Sequence, residues 1–216
     1  VCREGVRRQR WEAALTILEA DPLFAEVNVS SLADYQGTDL EQRARWLYRH
    51  LSSGHAAVLL SMTRLVERVE EKSLVLVDEP ESHLHPPLLS AFIRALSDLL
   101  INRNGVAIIA THSPVVLQEV PKSCAWILSR AGREARADRP EHETFGENAG
   151  TLTREVFGLE VTQTGFHRLI AEQAQGRNYE QILAAFGGQL GAEGRALARA
   201  LSIVLPDQLP PQGDDD

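Results

Sequence analysis

The spacing of apolar positions changes period along this chain, from helical to continuous runs and back to helical. Residues 6–20, VRRQRWEAALTILEA, set Trp11, Ala14, Leu15 and Leu18 three or four apart, which predicts an amphipathic helix stopped by Asp21-Pro22. Residues 23–38 are mixed and turn-rich, and a second helical pattern over 39–50 carries Leu40, Trp46 and Leu47. After LSSGH at 51–55, the run AAVLLSMTRLVERVEE places Val58, Met62, Leu65, Val66 and Val69 on one helical face. The period then disappears. SLVLVD (73–78) and VAIIA (106–110) are short continuous apolar runs, as expected of parallel strands buried on both faces. Between them a helix opens on Pro86-Pro87, carries Leu88, Leu89, Phe92, Leu96, Leu99 and Leu100, and ends at Asn104-Gly105. Strand, helix, strand in that order is a βαβ unit, so the core is α/β.

Beyond it the pattern predicts a short helix over 114–119 and a third strand over 123–130. A polar stretch at 130–149 reads as a hairpin or loop. Helices follow at about 150–157, 164–175, 179–186 and 190–204, and the ending LPPQGDDD reads as a disordered tail. Four parts result: a helical segment at 1–50, the α/β segment at 51–149, a helical C-terminal region at 150–205, and the tail at 206–216.

Composition narrows the class. No apolar run approaches the roughly 18 residues that span a bilayer, and the charged opening VCREGVRRQRW is unlike a signal peptide. Cys2 and Cys124 lie far apart and read as free thiols of a cytoplasmic protein without a membrane partner. A net charge of −8 argues against a nucleic-acid surface over the whole chain and leaves room for local contact through Arg3/Arg7/Arg8/Arg10 or Arg130/Arg133/Arg136/Arg139. An opening on valine is expected of a cut-down chain.

The chemistry-bearing residues gather where the strands end, the edge at which open α/β sheets bind ligands. Asp78-Glu79 closes the first strand. Adjacent carboxylates there fit a magnesium–nucleotide site, with Asp78 holding the metal through water and Glu79 polarising an attacking water; they also fit an N-cap and ordinary surface acids. Thr111-His112-Ser113 follows the second strand, with His112 33 residues beyond Glu79. His112 suits a terminal phosphate, or is a loop histidine beside a helix-capping Ser113. Ser52 and Gly54 stand at a helix start where free N–H groups favour anions, and the same residues make a plain N-cap. His83-Leu84-His85 is a metal pair only if further donors converge on it; a turn histidine against Pro86 is the simpler reading.

In combination these pieces resemble the second half of an ABC-type ATPase core. LSSGH resembles the signature motif, LVLVDEP the Walker B strand, ESHLHP the D-loop and ATHSP the switch-histidine loop. DEPESHLHP followed by a strand ending in ATHSP is most similar to the SMC-like and OLD-like ATPases of DNA repair and phage defence. GENAGTLTREVFGLEV is more loosely similar to the ATPase of Septu-type defence systems. The firm part covers residues 51–120.

The resemblance implies a partial P-loop NTPase core with mostly parallel strands, followed by helices. It implies ATP and Mg2+ as ligands, Glu79 as catalytic carboxylate, Asp78 as metal support and His112 at the γ-phosphate. Ser52, Ser53 and Gly54 would reach a partner subunit's nucleotide, and Ser82 and His83 would lie in the D-loop. Ser53 and His55 depart from the common LSGGQ form of the signature.

The family also needs a G-x-x-x-x-G-K-[ST] loop N-terminal to the signature. This chain has two lysines, Lys72 after Glu71 and Lys122 after Pro121, so it has no Gly-Lys pair. The resemblance therefore implies a preceding half that carries the P-loop, an isolated chain inactive as an ATPase, and a sheet left partly uncovered. Three functions stay open: an ATP-driven switch working as a nucleotide-bridged homodimer with DNA or a nuclease as partner, a non-catalytic interaction or regulatory module, and a transporter's nucleotide-binding subunit.

Overall fold

Helix α5 (Pro86–Ile101) organises the first part of the chain because it is apolar on most of its circumference. In the computed structural model, which describes residues 5–131, 133–163 and 165–204, its Leu88, Leu89, Ala91, Phe92, Ile93, Ala95, Leu96, Leu99 and Leu100 are all buried. Helices α1 (Gly5–Leu18) and α4 (Ser53–Arg68) pack against it and against each other. They contribute Trp11, Ala14, Leu15 and Leu18, and Val58, Met62 and Val66. The Trp11 indole N–H donates to Thr63 Oγ1 at 2.9 Å, so the one polar atom of that ring is satisfied inside the packing. The predicted helical segment at 1–50 thus shares a core with the α/β segment.

The mixed stretch after α1 is ordered. It forms α2 (Pro22–Val27) and a 3-10 helix at Val29–Asp34, followed by α3 (Gly37–His50). Asp21 caps α2 by accepting the Phe24 N–H at 2.8 Å, and Pro22 stands in the first turn, where its missing donor does no harm.

Strands β1 (Leu74–Asp78) and β2 (Val106–Ala110) pair in parallel, Leu74 opposite Val106 through Asp78 opposite Ala110. One face of the pair, Val75, Val77, Ala107 and Ile109, packs against the helical core. The other face is open: Leu74, Leu76, Val106 and Ile108 are 60%, 71%, 60% and 60% exposed. Here the structure corrects the expectation of strands buried on both faces. The sequence carries the apolar residues of a doubly covered strand, and the described chain covers one side.

After α6 (Pro114–Gln118), the segment expected to begin a third strand at 123 instead makes a 3-10 turn at Lys122–Cys124. The strand itself is β3 (Ile127–Ala131), hairpinned antiparallel to β4 (Glu134–Asp138). Arg139 lies 3.7 Å over the Trp126 ring and donates to the Ala125 carbonyl at 2.7 Å, which fastens the hairpin's base.

Two compact units divide between Leu152 and Thr153. Helix α7 (Ala149–Gln163) outruns the predicted 150–157 and continues through Gly158. The second unit contains α8 (Gly165–Ala174), α9 (Tyr179–Ala185) and α10 (Ala192–Val204) around Ile170, Ala174, Ile182 and Ala198. Asn178 and Gln181 form a capping box at the start of α9. The expected tail at 206–216 lies outside the described residues. Among the described residues no helix is long and apolar enough to cross a membrane.

The two environments of leucine in the α/β part are separable by experiment. Leu96 is 1% exposed and Leu76 is 71% exposed. Leu96→Ala should destabilise the chain by about 2–5 kcal/mol in urea unfolding, and Leu76→Ala by less than about 0.5 kcal/mol at concentrations dilute enough to keep the chain monomeric.

Candidate functional site

The parallel register brings the two strand ends to one edge. The Glu79 N–H donates to the Ala110 carbonyl at 2.9 Å, extending the ladder one residue beyond Asp78. Glu79 then turns sharply, with φ 44° and ψ 58°, into a 3-10 turn over Pro80–His83. A non-glycine residue in this left-handed region costs about 1–2 kcal/mol, which the surrounding contacts must offset.

At that turn the Glu79 carboxylate faces His112, with Oε1 3.6 Å from Nε2. Both side chains are open to solvent, 56% and 76% exposed, so the contact is an accessible polar pair rather than a buried ion pair. The Ser82 hydroxyl donates to the Glu79 carbonyl at 3.0 Å and lies 3.5 Å from Glu79 Oε2. Asp78 ends β1 beside them, also exposed.

Glu81, the first residue of the D-loop-like ESHLHP and not among the expected site residues, holds the facing loop. Its Oε1 accepts the Thr111 hydroxyl at 2.9 Å and the His112 N–H at 2.6 Å. Burial pushes the Glu81 carboxyl up. Its own N–H, the His112 N–H, the Thr111 hydroxyl and the nearby His112 ring together outweigh that and hold it below the usual carboxylate range. Thr111 Oγ1 in turn accepts the Ser113 N–H at 3.0 Å. The loop carrying His112 is therefore positioned by an ionised carboxylate from the first strand's turn. The available signal is a further acid two residues on, in Asp78-Glu79-Pro80-Glu81.

The LSSGH turn splits by burial. Ser52 caps α4, its hydroxyl accepting the His55 N–H at 3.2 Å, and Ser52 and Ser53 are exposed. Gly54 and His55 are buried. A Cβ on Gly54 would stand 2.6 Å from the His83 carbonyl oxygen. Glycine is thus required here by the close passage of the Ser82–Leu84 backbone, a packing reason that the expectation of phosphate access did not include. The contact linking this turn to the rest of the site runs from Gly54 to His83.

Behind both loops lies Asp21, with its side chain 1% exposed. Its Oδ2 is 2.8 Å from His85 Nε2, and its Oδ1 is 4.0 Å from His55 Nε2. From sequence alone Asp21 is a helix stop and His85 a turn residue against proline; the fold brings the two together.

The donor set fits one end of a magnesium–triphosphate. Asp78 and Glu79 are accessible hard oxygen ligands, and His112 offers a ring N–H beside them. Mg2+ is commonly held by one or two carboxylates plus phosphate oxygens. Among the described residues no group of three or more His, Cys, Asp or Glu is placed to hold a metal alone. Nothing in this chain supplies the lysine of a P-loop for the remaining phosphates.

The family comparison meets this geometry directly. Residues 13–118 match the family described as "AAA domain, putative AbiEii toxin, Type IV TA system". That match supports an AAA/ABC-type P-loop ATPase family and contains α5, both parallel strands, Glu79, Glu81 and His112. An AAA-type domain of few parallel strands and many helices agrees with the observed α/β arrangement. ATPases of that family generally use ATP and Mg2+. The chain is also 51% identical to "Protein ea59" of Escherichia phage lambda, over 90% of this chain and 41% of that protein. It therefore spans about two-fifths of the length of that relative.

Two measurements check the site's physics. Gly54→Ala should destabilise the chain by about 1–3 kcal/mol in thermal or urea unfolding, because the obstacle is backbone. Acid should act in two windows. Burial, opposed by Asp21 and reinforced by His85, lowers the His55 pKa below 6.5, so stability falls as pH drops from 6.5 towards the folded value. The lowered Glu81 pKa contributes stability that is present above 4.5 and lost as pH falls through the folded value. Glu81→Gln should shrink the lower loss and His55→Gln the upper one, read as urea midpoints against pH.

Proposed function

We propose that this chain is the C-terminal portion of an SMC-like or OLD-like ATPase that hydrolyses ATP at a dimer interface to drive a conformational switch. The observation that carries the reading is the Glu79–His112 pair, 3.6 Å apart and solvent-open where two parallel strands end. Bound magnesium would supply charge neutralisation at the phosphates. Asp78 would hold it through water. Glu79 would orient the attacking water and draw its proton towards Oε1 or Oε2. His112 would donate from its ring to the terminal phosphate, and Glu81 would keep it in place. Ser52 and Ser53, exposed at the positive end of α4, would face the nucleotide of a second subunit. Ser82 and His83 would lie between the two sites.

The uncovered sheet face supports a preceding half that carries the P-loop. Leu74, Leu76, Val106 and Ile108 form an apolar surface of the kind that another layer covers. The family description, which names a putative AbiEii toxin of a toxin–antitoxin system, favours phage defence over DNA repair as the setting. DNA or a nuclease would be the partner acted upon. A second reading, a non-catalytic interaction module, draws support from the lack of any Gly-Lys pair.

In a polypeptide that also carries the P-loop, Glu79→Gln should lower ATP turnover by about 10²- to 10⁴-fold while ATP binding persists. Unchanged turnover removes Glu79 from the mechanism. The chain alone should bind no ATP measurable by calorimetry, and it should self-associate through the open sheet face in sizing chromatography. A monomer that persists across dilution argues against an exposed docking face.

A further inference from the structure

Three observations meet behind the site, and the proposed reaction uses none of them. The first is a carboxylate taken almost wholly out of water. Asp21 sits at the corner between α1 and α2 with its side chain 1% exposed, and a buried carboxylate requires compensating donors. The second is the identity of those donors. Oδ1 accepts the Phe24 N–H at 2.8 Å, and Oδ2 lies 2.8 Å from His85 Nε2. The His55 ring lies 4.0 Å from Oδ1, edge-on to Phe24 at 5.6 Å between centroids and 6.2 Å from the His85 ring. The third is where the two histidines sit. His55 closes the LSSGH turn, and His85 closes the Ser82–Leu84 turn and precedes α5. The two turns already touch, since Gly54 admits the His83 carbonyl against its backbone.

We propose that Asp21 is a positioning residue that clamps the LSSGH turn and the Ser82–His85 turn into one rigid piece, through His55 on one side and His85 on the other. In this clamp Oδ2 is the acceptor of the 2.8 Å contact and His85 Nε2 carries the proton that it donates. That fixes the tautomer and the ring plane of His85, and with it the path of the chain into α5. His55, pressed between Phe24 and Asp21, fixes the first turn of α4 from the other side. The charged and titratable groups facing this point are Asp21 from the α1–α2 corner, His55 from α4 and His85 from the start of α5. The role in turnover rests on the ATPase reading, because both turns would then border the nucleotide. The clamp itself does not rest on it.

The test uses Asp21→Asn and His85→Gln in the full chain. Asparagine keeps the acceptor for the Phe24 N–H, so α2 remains capped. In imidazole-resolved NMR, wild-type His85 should be locked as the Nε2–H tautomer. Asp21→Asn, now presenting an amide N–H, should move it towards Nδ1–H. Backbone amides of Ser52–Gly54 and of Ser82–Leu84 should shift together in both variants. A wild-type His85 that averages both tautomers, or shifts confined to residues 21–25, overturns the clamp.

In a P-loop-bearing polypeptide that turns over ATP, Asp21→Asn should lower kcat roughly 10- to 100-fold with KM for ATP within about twofold. A broken clamp with unchanged kcat overturns the positioning role. If that wild-type polypeptide hydrolyses no ATP, the ATPase reading fails, and the tautomer and paired amide shifts still decide the clamp.

Discussion

The parallel pairing of β1 with β2 is the constraint on which the candidate site depends. Five residues on each strand pair without a bulge, from Leu74 opposite Val106 to Asp78 opposite Ala110. Parallel strands point the same way, so both strand exits open at one edge, however far apart they are in sequence. Glu79 and His112 meet for that reason. A shift of one residue would turn Asp78 towards the helices and move Leu76 off the open face. The same pairing needs a crossover, and α5 provides it while forming most of the apolar core.

Around that edge, polar groups replace what a longer sheet would contribute by stiffness. Glu81 ties Thr111 and His112 to the turn after β1, and Ser82 ties the same turn back to Glu79. Beneath, Gly54 lets the Ser82–Leu84 backbone sit against α4, and Asp21 reaches His55 on one side of that contact and His85 on the other. The turn carrying Glu79 and the loop carrying His112 are therefore hydrogen-bonded to one another. This is the arrangement expected when a site must hold its geometry while staying open to solvent.

Much of this was legible in the chain because it is local. The strand at 106–110 and the helix opened by Pro86-Pro87 derive from apolar periodicity and proline chemistry; the strand and the helix start are observed as expected, and the helix stops at Ile101, short of Asn104-Gly105. The approach of Glu79 to His112 was legible at one remove, through the rule that parallel strands share an exit edge. The features that escaped depend on distant partners. Thr111 is 30 residues from Glu81, and His85 is 64 residues from Asp21, and no periodicity encodes such pairs. The start of β3 escaped for a similar reason. The Lys122 N–H is taken by Glu143, 21 residues on, and Cys124 folds back to the Pro121 carbonyl, so the first part of SCAWILSR is withdrawn from the strand. The open sheet face was misjudged in the opposite sense: leucine, valine and isoleucine at 74, 76, 106 and 108 declare a cover that the described residues do not contain.

The left-handed backbone at Glu79 has an evolutionary consequence. At φ 44° glycine would be free of the steric penalty that glutamate bears, and asparagine would bear less of it. Folding alone therefore selects against glutamate at this position. In a lineage released from the work this carboxylate performs, drift should relax position 79 towards glycine or asparagine early, while the leucines of α5 stay in place. Among degenerating copies, the identity of that single residue would separate scaffolds still under selection for chemistry from those retained only as folded protein.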